Sequence, residues 1–419
     1  MMETSDKSIR ALSQFDGKNK VTLPKNIVGT ENILTTSMIS AANTIYILQY
    51  DYSLNSQTVV LGSGSTIIFN GGSLNNGTLD YRNGKIIPSS DSIFGSNLRV
   101  LTSGSVNIAW YGKSDGDSID DIFNVLQGHT VIIPVGNYSC GLSDYLLEPG
   151  TMFIGEKVLN NDQTCCISFS PSATAGPFII GLNNNCGFKD ITLWLTSTTY
   201  SGDLVRVDSA SWTGSEYDLQ PLKGQQYYID NVYFFTSWMQ NGSDNYLATA
   251  FHVIIRDKDD DNNLLPSYQQ FLSYRQHFQN VEIKYFSVGI RIDLVNILKI
   301  HTDEGVWCNS LHFFDIDMWV RNNGFVLHTS NLKSLAVGRF LISGICLQAV
   351  GTPDPGGHYP YAFYANNGYK CMLDMINAWD NSKVAYVGGG EITLGQYVAD
   401  DSNPLTVTGG GIIRTIPWI

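Results

Sequence analysis

The sequence predicts an all-β chain built as a parallel β-solenoid. Three observations carry this. The 419 residues include 40 Gly against 13 Pro, with 22 Tyr and 19 Phe, a composition of strands and tight turns rather than helices. Short apolar and β-branched runs alternate with Gly and Asn turns, without any helical period. One phrase recurs at Phe188–Trp194, Asp230–Phe235, Phe278–Lys284 and Phe313–Trp319: Asn or Asp, then Val or Ile, then any residue, then a large apolar one. A unit of this kind cannot bury its apolar side alone and must stack on its neighbours.

Residues 1–42 are polar and weakly patterned, and are expected to form an arm that a partner orders. Residues 43–105 predict a small β-rich domain. Its strand candidates Thr44–Leu48, Thr58–Leu61, Thr66–Phe69, Thr78–Asp80 and Lys85–Ile87 are parted by Gly62-Ser63-Gly64, Gly71-Gly72, Asn76-Gly77 and Asn83-Gly84. Residues 106–419 predict the solenoid. The Asn/Asp of its phrase returns at intervals of 41, 49 and 35 residues, at Asp190, Asn231, Asn280 and Asp315. A second strand follows each phrase, at Leu204–Asp208, Phe251–Ile255, Gly289–Asp293 and Gly324–His328. Period-2 alternation buries Ile191 and Leu193, Val232 and Phe234, Val281 and Ile283, Ile316 and Met318. It turns Thr192, Tyr233, Glu282 and Asp317 outward. The Asn/Asp then falls at a corner, where a short polar side chain bonds the bent backbone. Gly388–Gly390 and Gly409–Gly411 bracket short strands expected to close the stack, and a separate C-terminal lectin domain of ordinary size is not expected.

Charge excludes one function class. The 25 Lys and Arg against 38 Asp and Glu give a net charge of −13, and such a surface repels a phosphate backbone. No stretch approaches 18 apolar residues, so membrane insertion is not expected. The start, Met1-Met2-Glu3-Thr4-Ser5-Asp6-Lys7, lacks a basic region and apolar core, which predicts folding in a cytoplasm without export. The seven cysteines lack the spacing of a zinc site or a disulfide framework, and are expected to be small buried hydrophobes.

Two segments resemble known families. Val106–Asp121 carries an apolar-aromatic-Gly strand and Asp115-Gly116-Asp117-Ser118-Ile119-Asp120-Asp121. It leads into Ile122–Leu126 and then Thr130-Val131-Ile132-Ile133-Pro134-Val135-Gly136-Asn137-Tyr138. This resembles the opening of the pectate-lyase-like right-handed parallel β-helices of phage tail spikes. The resemblance implies a short N-terminal capping helix that covers a sticky sheet edge, with Asp120 as its N-cap. Leu34–Ile39, Asn43–Ile47 and Phe69-Asn70-Gly71-Gly72-Ser73-Leu74 resemble the front ends of appendage proteins from phages of gut Bacteroidetes, the crAss-like group. Together these imply a virion tail spike, tail fibre or receptor-binding component. Residues 1–42 would attach it to other virion proteins, and the β-helix would form a homotrimer that contacts bacterial surface polysaccharide. The alternatives are a polysaccharide depolymerase and a purely structural decoration.

Phage β-helices often act on glycans, so paired carboxylates matter. Glu282 and Asp317 share the outward position of successive phrases; on neighbouring strands they lie about 4.8 Å apart, near the spacing of about 5–5.5 Å that retaining glycosidases use. Asp315 and Asp317 on one extended strand would be about 6.6 Å apart, which suits inversion. Each acid is equally at home on a solvated β face. Arg291 beside Asp293 offers the cation that a uronate lyase needs, although an acidic surface favours neutral glycan. Trp194, Tyr233, Phe235 and Trp319 fall at outward parity, where rings stack on sugars or pack between copies of the chain. Asp257–Asp261 is a candidate Ca²⁺ loop or a solvated tip; it lacks the Gly and closing Glu of an EF-hand, and no other metal or cofactor is expected. His301-Thr302-Asp303-Glu304 and the loop Pro353–Tyr361 are further candidates for chemistry and recognition.

Overall fold

The computed structural model describes residues 18–416 apart from 90–91, 157–164, 173–175, 212–226, 237–246, 257, 262, 267–270, 274–275, 296–306, 310, 330–335, 338–339, 350–360, 367–370, 380–381 and 400–403. The chain is all-β, with long parallel sheets of stacked strands, the arrangement expected of a β-solenoid. It divides into two units, residues 1–139 with 153–165, and residues 140–152 with 166–419. No helix among the described residues is long and apolar enough to cross a membrane.

In the first unit, Asn19–Thr22, Thr44–Leu48, Thr66–Phe69 and Lys85–Ile87 form a parallel sheet in that order. Thr58–Val60, Gly77–Asp80 and Leu98–Leu101 form another. Residues 18–42, read from the sequence as part of the arm, are built into this unit. Leu23, Leu34 and Ile39 are buried, and the Tyr52 hydroxyl donates to the Pro24 carbonyl at 2.9 Å. Residues 1–17 of the arm lie outside the described residues.

The expected capping helix is absent. Residues 120–128 form a run of turns, although Ile119, Ile122, Phe123 and Leu126 are buried at helix-like spacing. Leu126 N–H reaches the Ile122 carbonyl at 3.2 Å, but Gly128 at φ +76° ends the run. Too few residues separate Asp120 from Gly128 to repay the cost of a helix nucleus. At the start of the run the Asp120 N–H donates to Ser118 Oγ at 3.2 Å.

The second unit alternates strands between two long sheets. They are β1 (Cys186–Leu195), β2 (Asp203–Asp208), β3 (Tyr227–Thr236), β4 (Thr249–Arg256), β5 (His277–Lys284), β6 (Val288–Val295), β7 (Leu311–Val320), β8 (Asn323–Thr329), β9 (Phe340–Ala349), β10 (Tyr361–Ala365), β11 (Cys371–Trp379) and β12 (Lys383–Val387). Odd strands pair in parallel with odd, and even with even. A third short ladder joins Phe271–Ser273, Trp307–Asn309 and Ala336–Val337. Each coil thus offers two strands, and three over part of the stack. The inward set read from the phrase is buried, from Ile191 through Met318.

The recurring Asn/Asp forms the bend expected of it. Asp190, Asn231, Asn280 and Asp315 have φ of +52° to +53°, and strand pairing passes over them: Lys189 faces Asp230 and Ile191 faces Val232. Asn and Asp tolerate this left-handed conformation better than other L-residues. Asn231 Nδ2 donates to Asp190 Oδ1 at 2.6 Å, tying one bend to the next. Asn280→Val is expected to cost about 1–2 kcal/mol more than Asn280→Gly, measured by urea denaturation, because both lose the side-chain amide and only Val strains the left-handed bend.

Candidate functional site

Beyond the bend, β1, β3, β5 and β7 each turn two side chains outward. One row reads Thr192, Tyr233, Glu282, Asp317, and the next reads Trp194, Phe235, Lys284, Trp319, each in parallel register. The sequence therefore places Trp194, Tyr233, Trp319, Glu282 and Asp317 on one face, and the structure brings them together there. Trp194 lies 6.0 Å from Phe235, and Phe235 lies 5.6 Å from both Tyr233 and Tyr285, between ring centroids. Lys284 Nζ sits over Tyr233 at 5.3 Å and over Trp319 at 4.7 Å. Its charge is met by an ion pair with Glu282. The result is a strip of half-buried rings across four strands, held by one neutralised cation.

That geometry reshapes the carboxylate readings. Glu282 and Asp317 are register neighbours, but the Glu282 carboxylate is engaged by Lys284. Asp315 is exposed at the bend with φ +53°, so the extended separation of about 6.6 Å from Asp317 does not apply. Arg291 belongs to the other sheet, on β6, where its Nε bonds Asp293 at 2.9 and 3.1 Å. The Tyr233 hydroxyl is pushed well up by burial and then by the charge of Glu282, so it stays protonated and able to donate.

On the other side of the bend lies a polar hub. Asp230 accepts from the Tyr228 hydroxyl at 3.1 Å, Asn280 Nδ2 at 3.2 Å and Gln279 Nε2 at 3.3 Å, with Lys189 Nζ at 3.8 Å. The His277 ring stacks on Tyr228 at 4.3 Å. Burial favours the neutral acid, yet the bonds from Gln279, Tyr228 and Asn280, with His277 nearby, hold the Asp230 carboxyl below its ordinary range. Its bonds are spent inside the cluster, so it is a structural hub.

The acidic run is organised by protein groups. Arg256 grips Asp208 with Nε at 3.0 Å and Nη2 at 2.9 Å, and also pairs with Asp260. Asp259 accepts from Asn263 N–H at 2.7 Å and Nδ2 at 3.0 Å. Among the described residues no group of three or more His, Cys, Asp and Glu is arranged to hold a metal ion. Asp257, His301–Glu304 and Pro353–Pro360 lie outside the described residues.

No protein-family model, curated protein or solved structure matches the chain. The face therefore has to be read from its own chemistry. Sequence reasoning missed Lys284, although it sits two residues after Glu282 at the same outward parity. It also missed His252, which alternation turns outward between Phe251 and Val253 on β4.

Proposed function

We propose that the chain is a bacteriophage virion appendage, a tail-spike or receptor-binding protein, whose β-helix contacts neutral host surface polysaccharide. The observation that carries the reading is the strip Trp194–Phe235–Tyr233–Lys284–Trp319, in register across four strands. Aromatic faces with few uncompensated charges stack well on pyranose rings. The parallel stacked sheets suit the right-handed, pectin-lyase-like form that residues 106–138 resemble. The virion and the phage group rest on that resemblance and on the one at residues 34–74. A homotrimer is part of the proposal; mass photometry showing only monomer at micromolar concentration would remove it.

The test is co-elution of the purified protein with capsular polysaccharide from candidate host strains. Trp319→Ala and Phe235→Ala are each expected to weaken binding about tenfold, the scale of one ring's stacking and burial. Undiminished binding by both variants would move the contact off this strip. A second reading, a polysaccharide depolymerase, rests on the register of Glu282 with Asp317. It requires polymer size to fall during incubation, and Glu282→Gln or Asp317→Asn to stop the fall while binding survives.

A further inference from the structure

The second sheet holds a chain of charges, centred on a buried histidine, that the glycan reading does not use. His252 on β4 is 6% exposed, and both its ring nitrogens face carboxylates from flanking strands. Nδ1 lies 2.8 Å from Asp203 Oδ2 on β2, and Nε2 lies 3.2 Å from Asp293 Oδ2 on β6, the latter an ion-pair approach rather than an aligned hydrogen bond. Each carboxylate is gripped by an arginine of its own strand: Arg206 Nε to Asp203 at 2.6 Å, and Arg291 Nε to Asp293 at 2.9 Å. His328 on β8 stands 3.8 Å from Asp293. Arg206, His252 and Arg291 are register neighbours in one outward row.

A neutral imidazole carries one N–H and one lone pair. In this setting the lone pair would face a carboxylate in a buried site, where an unfavourable polar contact is expensive. An imidazolium donates towards both carboxylates at once. With two carboxylates and two guanidiniums balanced, the proton on His252 is the buried charge of the cluster that ordinary pH can remove; His328, the other histidine near Asp293, is 45% exposed.

We propose that His252 is held as a buried imidazolium that fastens β2, β4 and β6 together, making the stability of this stack pH-sensitive. Burial works to lower the affinity of His252 for its proton, but the bonds and charges of Asp203 and Asp293 outweigh it and leave it raised. A group raised in the folded state stabilises fully below its unfolded value, about 6.5, and that contribution disappears as pH climbs through the folded value. Asp293 has the opposite sign. Burial would raise it, but His252 and Arg291 bring it down to about 2, so its contribution is lost as pH falls from about 4 towards 2. The cluster therefore stabilises most in a weakly acidic window.

The experiment is thermal unfolding of the full chain between pH 4 and 9, beside His252→Gln. Wild type is expected to melt highest in the weakly acidic range and several degrees lower at pH 9, with that alkaline fall strongly reduced in His252→Gln. An equal fall in the variant, or no fall in wild type, would overturn the proposal. Should His252→Gln fail to fold, NMR of ring-labelled wild type decides instead. One histidine is expected to keep two protected ring N–H protons at neutral pH; if every histidine titrates at or below about 6.5, the proposal fails.

Discussion

Phe278→Ala is expected to lower stability by about 3–5 kcal/mol, the range for truncating a buried Phe. Phe278 is 1% exposed and lies at 5.0 Å from Phe251 and 5.1 Å from Phe313, between ring centroids. Phe313 continues to Phe325 at 5.1 Å, and Phe325 to Phe363 at 5.7 Å. These rings come from both sheets, so the line of aromatics is the seam between them. Removing the ring from β5 opens a cavity that neighbouring coils cannot fill, because parallel pairing on either side fixes their backbones. The check is a denaturant titration followed by far-UV circular dichroism and by tryptophan fluorescence. Phe278→Leu should recover much of the loss, since it restores apolar volume. A loss below about 1 kcal/mol for Phe278→Ala, far under the usual cost, would mean that the seam relaxes around the gap.

Arg256→Met is expected to cost about 3 kcal/mol, towards the low end for breaking a buried pair because the guanidinium is partly exposed. Asp208 is 7% exposed and takes both oxygens' bonds from Arg256. Methionine keeps the aliphatic length and deletes the charge, which leaves the Asp208 carboxylate buried without its main cation. Asp208→Asn in the same background should return part of the loss by removing that stranded charge. A double-mutant cycle on thermal unfolding measures this coupling. An additive cycle would show that Arg256 acts through packing alone. Asp260, the exposed third member, is expected to contribute little on its own.

Much of the fold was legible because two simple periods govern it. Alternation placed Ile191, Leu193, Val232, Phe234, Val281, Ile283, Ile316 and Met318 inside, and their neighbours outside, without knowledge of the loops. The recurrent Asn/Asp marked the bend, since few L-residues accept the backbone found there. The same parity gathered Trp194, Tyr233, Trp319, Glu282 and Asp317 on one face. It failed where contact depends on side-chain reach across strands. Parity alone puts Lys284 outward, but its position over both Tyr233 and Trp319 depends on its length. Arg291 had the right parity but belongs to the other sheet. The pairing of His252 with Asp203 and Asp293 joins residues 49 and 41 positions apart, with no local pattern to announce it. The capping helix failed for a different reason. Its apolar spacing was correct, but spacing buries residues in a turn as readily as in a helix when the segment is too short to propagate.

The left-handed bends at Asp190, Asn231, Asn280 and Asp315 fix register without fixing loop length. The register runs unbroken through each bend, so although 41, 49 and 35 residues separate successive bends, the outward rows stay aligned. Insertions and deletions in the connecting loops are then neutral for the ringed face. Such a chain has the means to vary its loops, and with them the contacts at its margins, without disturbing the aromatic strip.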